Sequence, residues 1–153
     1  MSDRRTHHGV AGLIGLGVGI YVARNHEGWP VVARLLGAVV ASLLGGSLPD
    51  VLEPAVHSWH RRSFHSWAAL AGSATVTMGP PAALRQWIEE RGATAERYRM
   101  QRESLLEGHA DRAGLWLAEM FEHALIGATV GVPAGYASHL ALDAGSPRGL
   151  PPL

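Results

Sequence analysis

Apolar positions along this chain fall in blocks and do not alternate. The first block, Gly9–Ala23, follows a polar start with Arg4 and Arg5, and His7 and His8 stand at its entrance. Asn25–Pro30 holds the breakers Gly28 and Pro30 and reads as a turn. A second block runs from about Val31 to Leu44 and stops at Gly45-Gly46. Ser47-Leu48-Pro49-Asp50 then reads as a fresh helix start, with Ser47 as its cap. A polar, histidine-rich stretch over 57–66 follows, with Ser63 as a cap for a helix carrying His65. Trp67–Met78 is apolar again and ends at Gly79-Pro80-Pro81. Ala82–Glu107 is dense in Arg and Glu and is expected to form a solvated helical hairpin or excursion, broken near Gly92, outside the main packing. A long helix from about Ala110 to Val132 and a last one over Ala134–Ala144, separated by Pro133, complete the pattern. No segment has the period-two alternation of a strand. The expected fold is all-α: one domain over residues 1–153, a compact bundle of about five to seven helices with 82–107 as a charged excursion.

The blocks are short for a membrane. Gly9–Ala23 has 15 residues and Leu35–Leu48 has 14, whereas a spanning helix needs about 20. Trp67–Leu84 is long enough but contains the Gly-Pro-Pro break, and the mean hydropathy is only +0.07. These lengths suit buried core helices as well as short or re-entrant membrane helices. The 19 glycines lie mostly inside the apolar blocks, which points to close helix contact. The stripe Gly127, Gly131, Gly135 reads as helix packing.

Composition narrows the chemistry. Thirteen basic residues, all arginine, balance thirteen acidic ones, so no nucleic-acid partner is expected. The chain has no cysteine, which excludes thiolate metal sites and a cysteine nucleophile. Any metal must be held by His, Asp or Glu. The nine histidines are the unusual feature, and three of them, His57, His60 and His65, fall within nine residues.

On a helix Glu53, His57 and His60 share a face, and Asp50 precedes Glu53 by three. His65 lies five residues past His60, about 140° round a helix, so the two need a bend or a second ion. His139 and Asp143 are i,i+4 partners, a spacing that grips one ion. Neither motif completes a site alone, so His65 and Asp143 are expected to meet in space. His26 and His109 read as solvated. His123 reads as a core histidine, a supporting partner or a further ligand.

Gly46-Ser47-Leu48-Pro49-Asp50, His60-Arg61-Arg62-Ser63-Phe64-His65-Ser66 and Gly135-Tyr136-Ala137-Ser138-His139-Leu140-Ala141-Leu142-Asp143, in this order, resemble the YdjM-like family of bacterial and phage proteins. Those proteins are described as membrane-bound metal-dependent hydrolases and are distantly similar to zinc-dependent phospholipase C. The resemblance implies Asp50, His60, His65, His139 and Asp143 as metal ligands, with His7 or His8 as the N-terminal member. It implies a divalent ion, zinc before manganese, iron or magnesium. It also implies a phosphoester or lipid-like substrate and an inner-membrane or membrane-associated location, with a soluble cytoplasmic protein as the alternative. Within that reading Arg61 or Arg62 binds substrate phosphate, since guanidinium matches it bidentately, and Glu53 serves as base or bridging ligand. The rival expectation is a helical membrane or assembly protein whose metal is structural.

Overall fold

A computed structural model describes residues 4–52, 64–105 and 109–145 of the chain. They form five helices: α1 (Arg4–Ala23), α2 (Trp29–Leu52), α3 (Trp67–Met78), α4 (Ala82–Ser104) and α5 (His109–Ala144). No strand occurs among the described residues, and α2 and α5 pack along each other at the centre of the bundle. The fold is all-α.

Three helices are longer than the sequence pattern suggested. α1 begins at Arg4, so His7 and His8 lie within it. α2 begins at Trp29-Pro30, where a proline in the first turn gives up no helical hydrogen bond, after a turn in which Gly28 takes a φ of 67°. It then passes through Gly45-Gly46 and Pro49 to Leu52. Ser47 does not cap a new helix; its hydroxyl donates to the Leu43 carbonyl at 3.2 Å. α5 likewise continues through Pro133.

Packing explains why these breakers do not break. A Cβ on Gly45 would collide with the Val132 carbonyl, and Cβ atoms on Gly127, Gly131 and Gly135 with the carbonyls of Arg34, Ala38 and Ser42. The glycines let α2 and α5 touch backbone to backbone. Close packing along several turns outweighs the roughly 1 kcal/mol by which each glycine disfavours helix. The matched steps of four on both helices show that α2 and α5 run parallel. α1 runs antiparallel to α2: a Cβ on Gly46 would sit 2.9 Å from Ala11, and one on Gly19 would sit 3.2 Å from Ala38. The Ser42 hydroxyl ties the pair by donating to the Ala11 carbonyl at 2.7 Å. The start of α1 and the ends of α2 and α5 therefore meet at one end of the bundle.

Small residues fill most of the interior, with Ile126 and Leu140 of α5 also buried, and many large apolar ones face outward. Ala11, Ala38, Ala41 and Ala134 are buried, whereas Val32, Leu36, Val40 and Leu44 form an exposed i,i+4 stripe on α2, and Leu13, Leu16 and Ile20 an exposed one on α1. Three helices are long and apolar enough to cross a membrane: Arg5–Ala23, Trp29–Leu52 and Ala110–Ala144. α3, with 12 residues, reaches only about 18 Å.

Residues 82–104 form one helix, with no break at Gly92, in place of the expected hairpin. Among the helices α4 touches only α5. It buries Ala95 and sets Arg91 3.4 Å from Glu122 and Arg102 3.0 Å from Glu119. The charged helix thus lies on the N-terminal half of α5, away from α1 and α2.

Candidate metal centre

The end where α1, α2 and α5 meet gathers histidines and acids. α5 supplies His139 and Asp143 from one face, α2 supplies Asp50 near its C-terminus, and α1 supplies His7. The fifth member, His65, lies just before α3. Ser66 is the N-cap there: its hydroxyl accepts from the Ala69 amide at 3.1 Å; Ser63, the expected cap, lies outside the described residues. The Tyr136 hydroxyl donates to the Phe64 carbonyl at 2.6 Å and so clamps this segment onto α5. Cap and clamp hold His65 fully buried in the site.

Four ligand atoms form a closed set. His65 Nε2 lies 3.4 Å from Asp50 Oδ1 and 3.8 Å from Asp143 Oδ2, and His139 Nε2 lies 3.6 Å from each of the same two oxygens. A hydrogen bond would draw such pairs to about 2.7–3.2 Å. Ligands about 2.0–2.1 Å from a tetrahedral ion stand about 3.3 Å apart, so each of these four pairs is spaced as two neighbouring ligands of one ion would be. His139 Nε2 is buried and makes no hydrogen bond. The donor set therefore fits a divalent ion. Two overlapping groups, His7/His139/Asp143 and Asp50/His65/His139, have their ligand atoms within 4.8 Å of one another.

His7 approaches from the other side. Its Nε2 is 3.5 Å from Asp143 Oδ1, and its ring stacks on His139 with centroids 4.3 Å apart. His8 is exposed, because adjacent helical positions are about 100° apart; the N-terminal histidine that faces the site is His7. His65 and Asp143, 78 positions apart, do meet. His139 and Asp143 are buried, whereas the Asp50 side chain is 54% exposed, so the site is open on the α2 side. His57, His60, Glu53, Arg61 and Arg62 lie outside the described residues.

Two other histidines lie away from this cluster. His26 is not simply solvated: its Nδ1 is buried, and it meets the His123 ring edge-on at 5.6 Å. Burial, and after it the nearby Arg34 charge, hold the His26 imidazole below its ordinary pKa. His123 is no ligand of the cluster above; its Nδ1 accepts from Arg34 Nε at 3.1 Å. Tyr136 has a role that its motif did not reveal. The signal was the i,i+3 step to His139, which places both on one face of α5.

No protein-family model, curated protein or solved structure matches this chain. Function is therefore read from the site.

The Tyr136 clamp gives a first test. Tyr136→Phe is expected to weaken zinc affinity about tenfold, the lower range for residues that orient a ligand, with the helical circular dichroism unchanged. Chelator competition measures it. An unaltered affinity would show that the clamp does not position His65.

Proposed function

We propose that this protein is a membrane-embedded, metal-dependent hydrolase of the YdjM-like kind, acting on a phosphoester or lipid-like substrate. The observation that carries the reading is the convergence of two imidazole nitrogens and two carboxylate oxygens at 3.4–3.8 Å, from three separate parts of the chain. When bound, a divalent ion supplies Lewis acidity and makes water nucleophilic near neutral pH. His65, His139 and Asp143 would hold it from the buried side, with Asp50 at the exposed edge. Three protein ligands with an open fourth position is the catalytic pattern, and four closed ligands the structural one. The exposure of Asp50 favours access. His7 orients Asp143 through its second oxygen or adds a ligand. Arg61 and Glu53 keep their proposed parts, phosphate binding and proton transfer.

The membrane setting is supported by the outward apolar stripes of α1 and α2 and by the small-residue seam within. A water-soluble bundle places its large side chains inside; helices in lipid pack through small ones. The site then sits at one end of the spanning helices, at headgroup level, where a lipid-like phosphoester is within reach.

Tag-free protein in detergent, loaded with zinc or manganese, is expected to bind about one ion or more per chain and to hydrolyse a diester such as bis(p-nitrophenyl) phosphate or a short-chain phospholipid. Metal-free protein should not. A loaded protein inert toward phosphomonoesters, phosphodiesters and carboxylic esters would leave the structural-metal reading, which the four-atom donor set also supports.

A further inference from the structure

The opposite end of the bundle holds a second polar site. Arg34, on the first turns of α2, is 7% exposed. Its Nε donates to His123 Nδ1 at 3.1 Å and a terminal nitrogen to the Val22 carbonyl at 2.8 Å. Both acceptors are neutral, and among the described residues no carboxylate pairs with this guanidinium. A buried cation without a counter-charge is costly unless something compensates it.

A cleft of about 370 Å³ opens beside it, between the α1–α2 turn, α4 and α5, lined by His26, Arg34, Arg99, Glu119 and His123 among others. The other charges there, exposed Arg99 and Glu96 and buried Glu119, are already matched. Arg99 pairs with Glu96, and Glu119 lies 3.0 Å from Arg102. Because His123 Nδ1 accepts, its proton sits on Nε2, which can donate. His26 Nδ1 is buried and makes no hydrogen bond. Glu27, exposed, also lines the cleft; it opposes a second negative charge.

We propose that this cleft binds a singly charged oxygen anion, a phosphodiester by preference, with Arg34 as the counter-charge and His26 and His123 as hydrogen-bonding partners. The matched ion pairs leave buried Arg34 and exposed Glu27, so a monoanion can neutralise the buried cation, while a dianion is opposed by Glu27. Arg34 lies 16 residues before Asp50 on α2, about 24 Å along the axis. The cleft is therefore separate from the metal centre and, in the membrane setting, sits at the other face. Lipid headgroups and soluble metabolites both present this chemistry.

The test uses metal-free protein in phosphate-free maltoside detergent, which keeps the probes off the metal centre. It is titrated with dimethyl phosphate, glycerol 3-phosphate and a short-chain phosphatidylglycerol, reading the thermal midpoint and the Arg34 and His123 side-chain resonances. Dimethyl phosphate is expected to raise the midpoint and shift both resonances, and glycerol 3-phosphate to act more weakly. Arg34→Lys should weaken binding about tenfold, because ammonium lacks the guanidinium fork, and Arg34→Gln should abolish it. Binding of both diesters assigns the site to the phosphodiester group; binding of the lipid alone assigns it to a headgroup with its chains. No effect of any probe on wild-type protein at about 10 mM, weaker than the millimolar range, overturns the proposal whether or not the variants fold. So does undiminished binding by Arg34→Gln.

Discussion

Replacing His139 by alanine is expected to lower metal affinity by more than about a hundredfold, beyond the range seen for supporting residues. His139 belongs to both candidate groups, and its Nε2 lies 3.6 Å from the oxygens of Asp50 and of Asp143. Asp50→Ala should cost less, because that carboxylate is half in water and water can replace it. His65→Ala and Asp143→Ala, whose atoms lie 3.8 Å apart, should cost less together than the sum of the two, since members of one site couple. Chelator competition with zinc on each variant gives the affinities, and circular dichroism confirms that α5 stays helical. If His139→Ala retained its ion with less than about a tenfold loss, the ion would lie elsewhere and the centre described above would be wrong.

The His139/Asp143 pair was legible because a helix turns every 3.6 residues and nothing intervenes. Its union with His65 and Asp50 was legible only as a need, since neither motif completes a donor set. The choice between His7 and His8 was not legible, because it depends on which face of α1 lies against α2. The helix boundaries failed for a related reason. Gly45-Gly46, Pro49, Gly92 and Pro133 all carry local stop signals; at Gly45 local rules count the cost of a glycine but not the backbone contact it permits, while Gly92 makes no such contact and is simply carried within α4. Arg34 was the single charge inside the Val31–Leu44 block, a visible oddity, yet its partner His123 is 89 positions away and no periodicity links them. The outward apolar stripe of α2 was hidden by block length: with the helix read as stopping at Gly45-Gly46, its apolar block fell short of membrane length.

Gly135→Ala is expected to destabilise the protein by at least about 3 kcal/mol, the upper part of the usual range for overpacking, and to abolish metal binding with it. The added methyl would occupy the position of the Ser42 carbonyl. A flexible side chain could swing aside, but a carbonyl inside α2 moves only with its helix. α2 and α5 must then separate, and they carry Asp50 on one side and His139 with Asp143 on the other. The same displacement strains Ser42, whose hydroxyl ties α1, and with it His7, to the pair. One methyl group at the seam should therefore reach three of the four elements that build the site. Gly17→Ala is the matched control. Nothing lies within 4 Å of a Cβ there, and alanine is the better helix former by about 1 kcal/mol, so that variant should be as stable as the parent and bind zinc normally. Thermal unfolding in detergent and zinc stoichiometry on both variants decide the matter. A Gly135→Ala protein that unfolds and binds zinc like Gly17→Ala would mean that α2 and α5 are not in backbone contact, and the end of the bundle would have to be assembled in some other way.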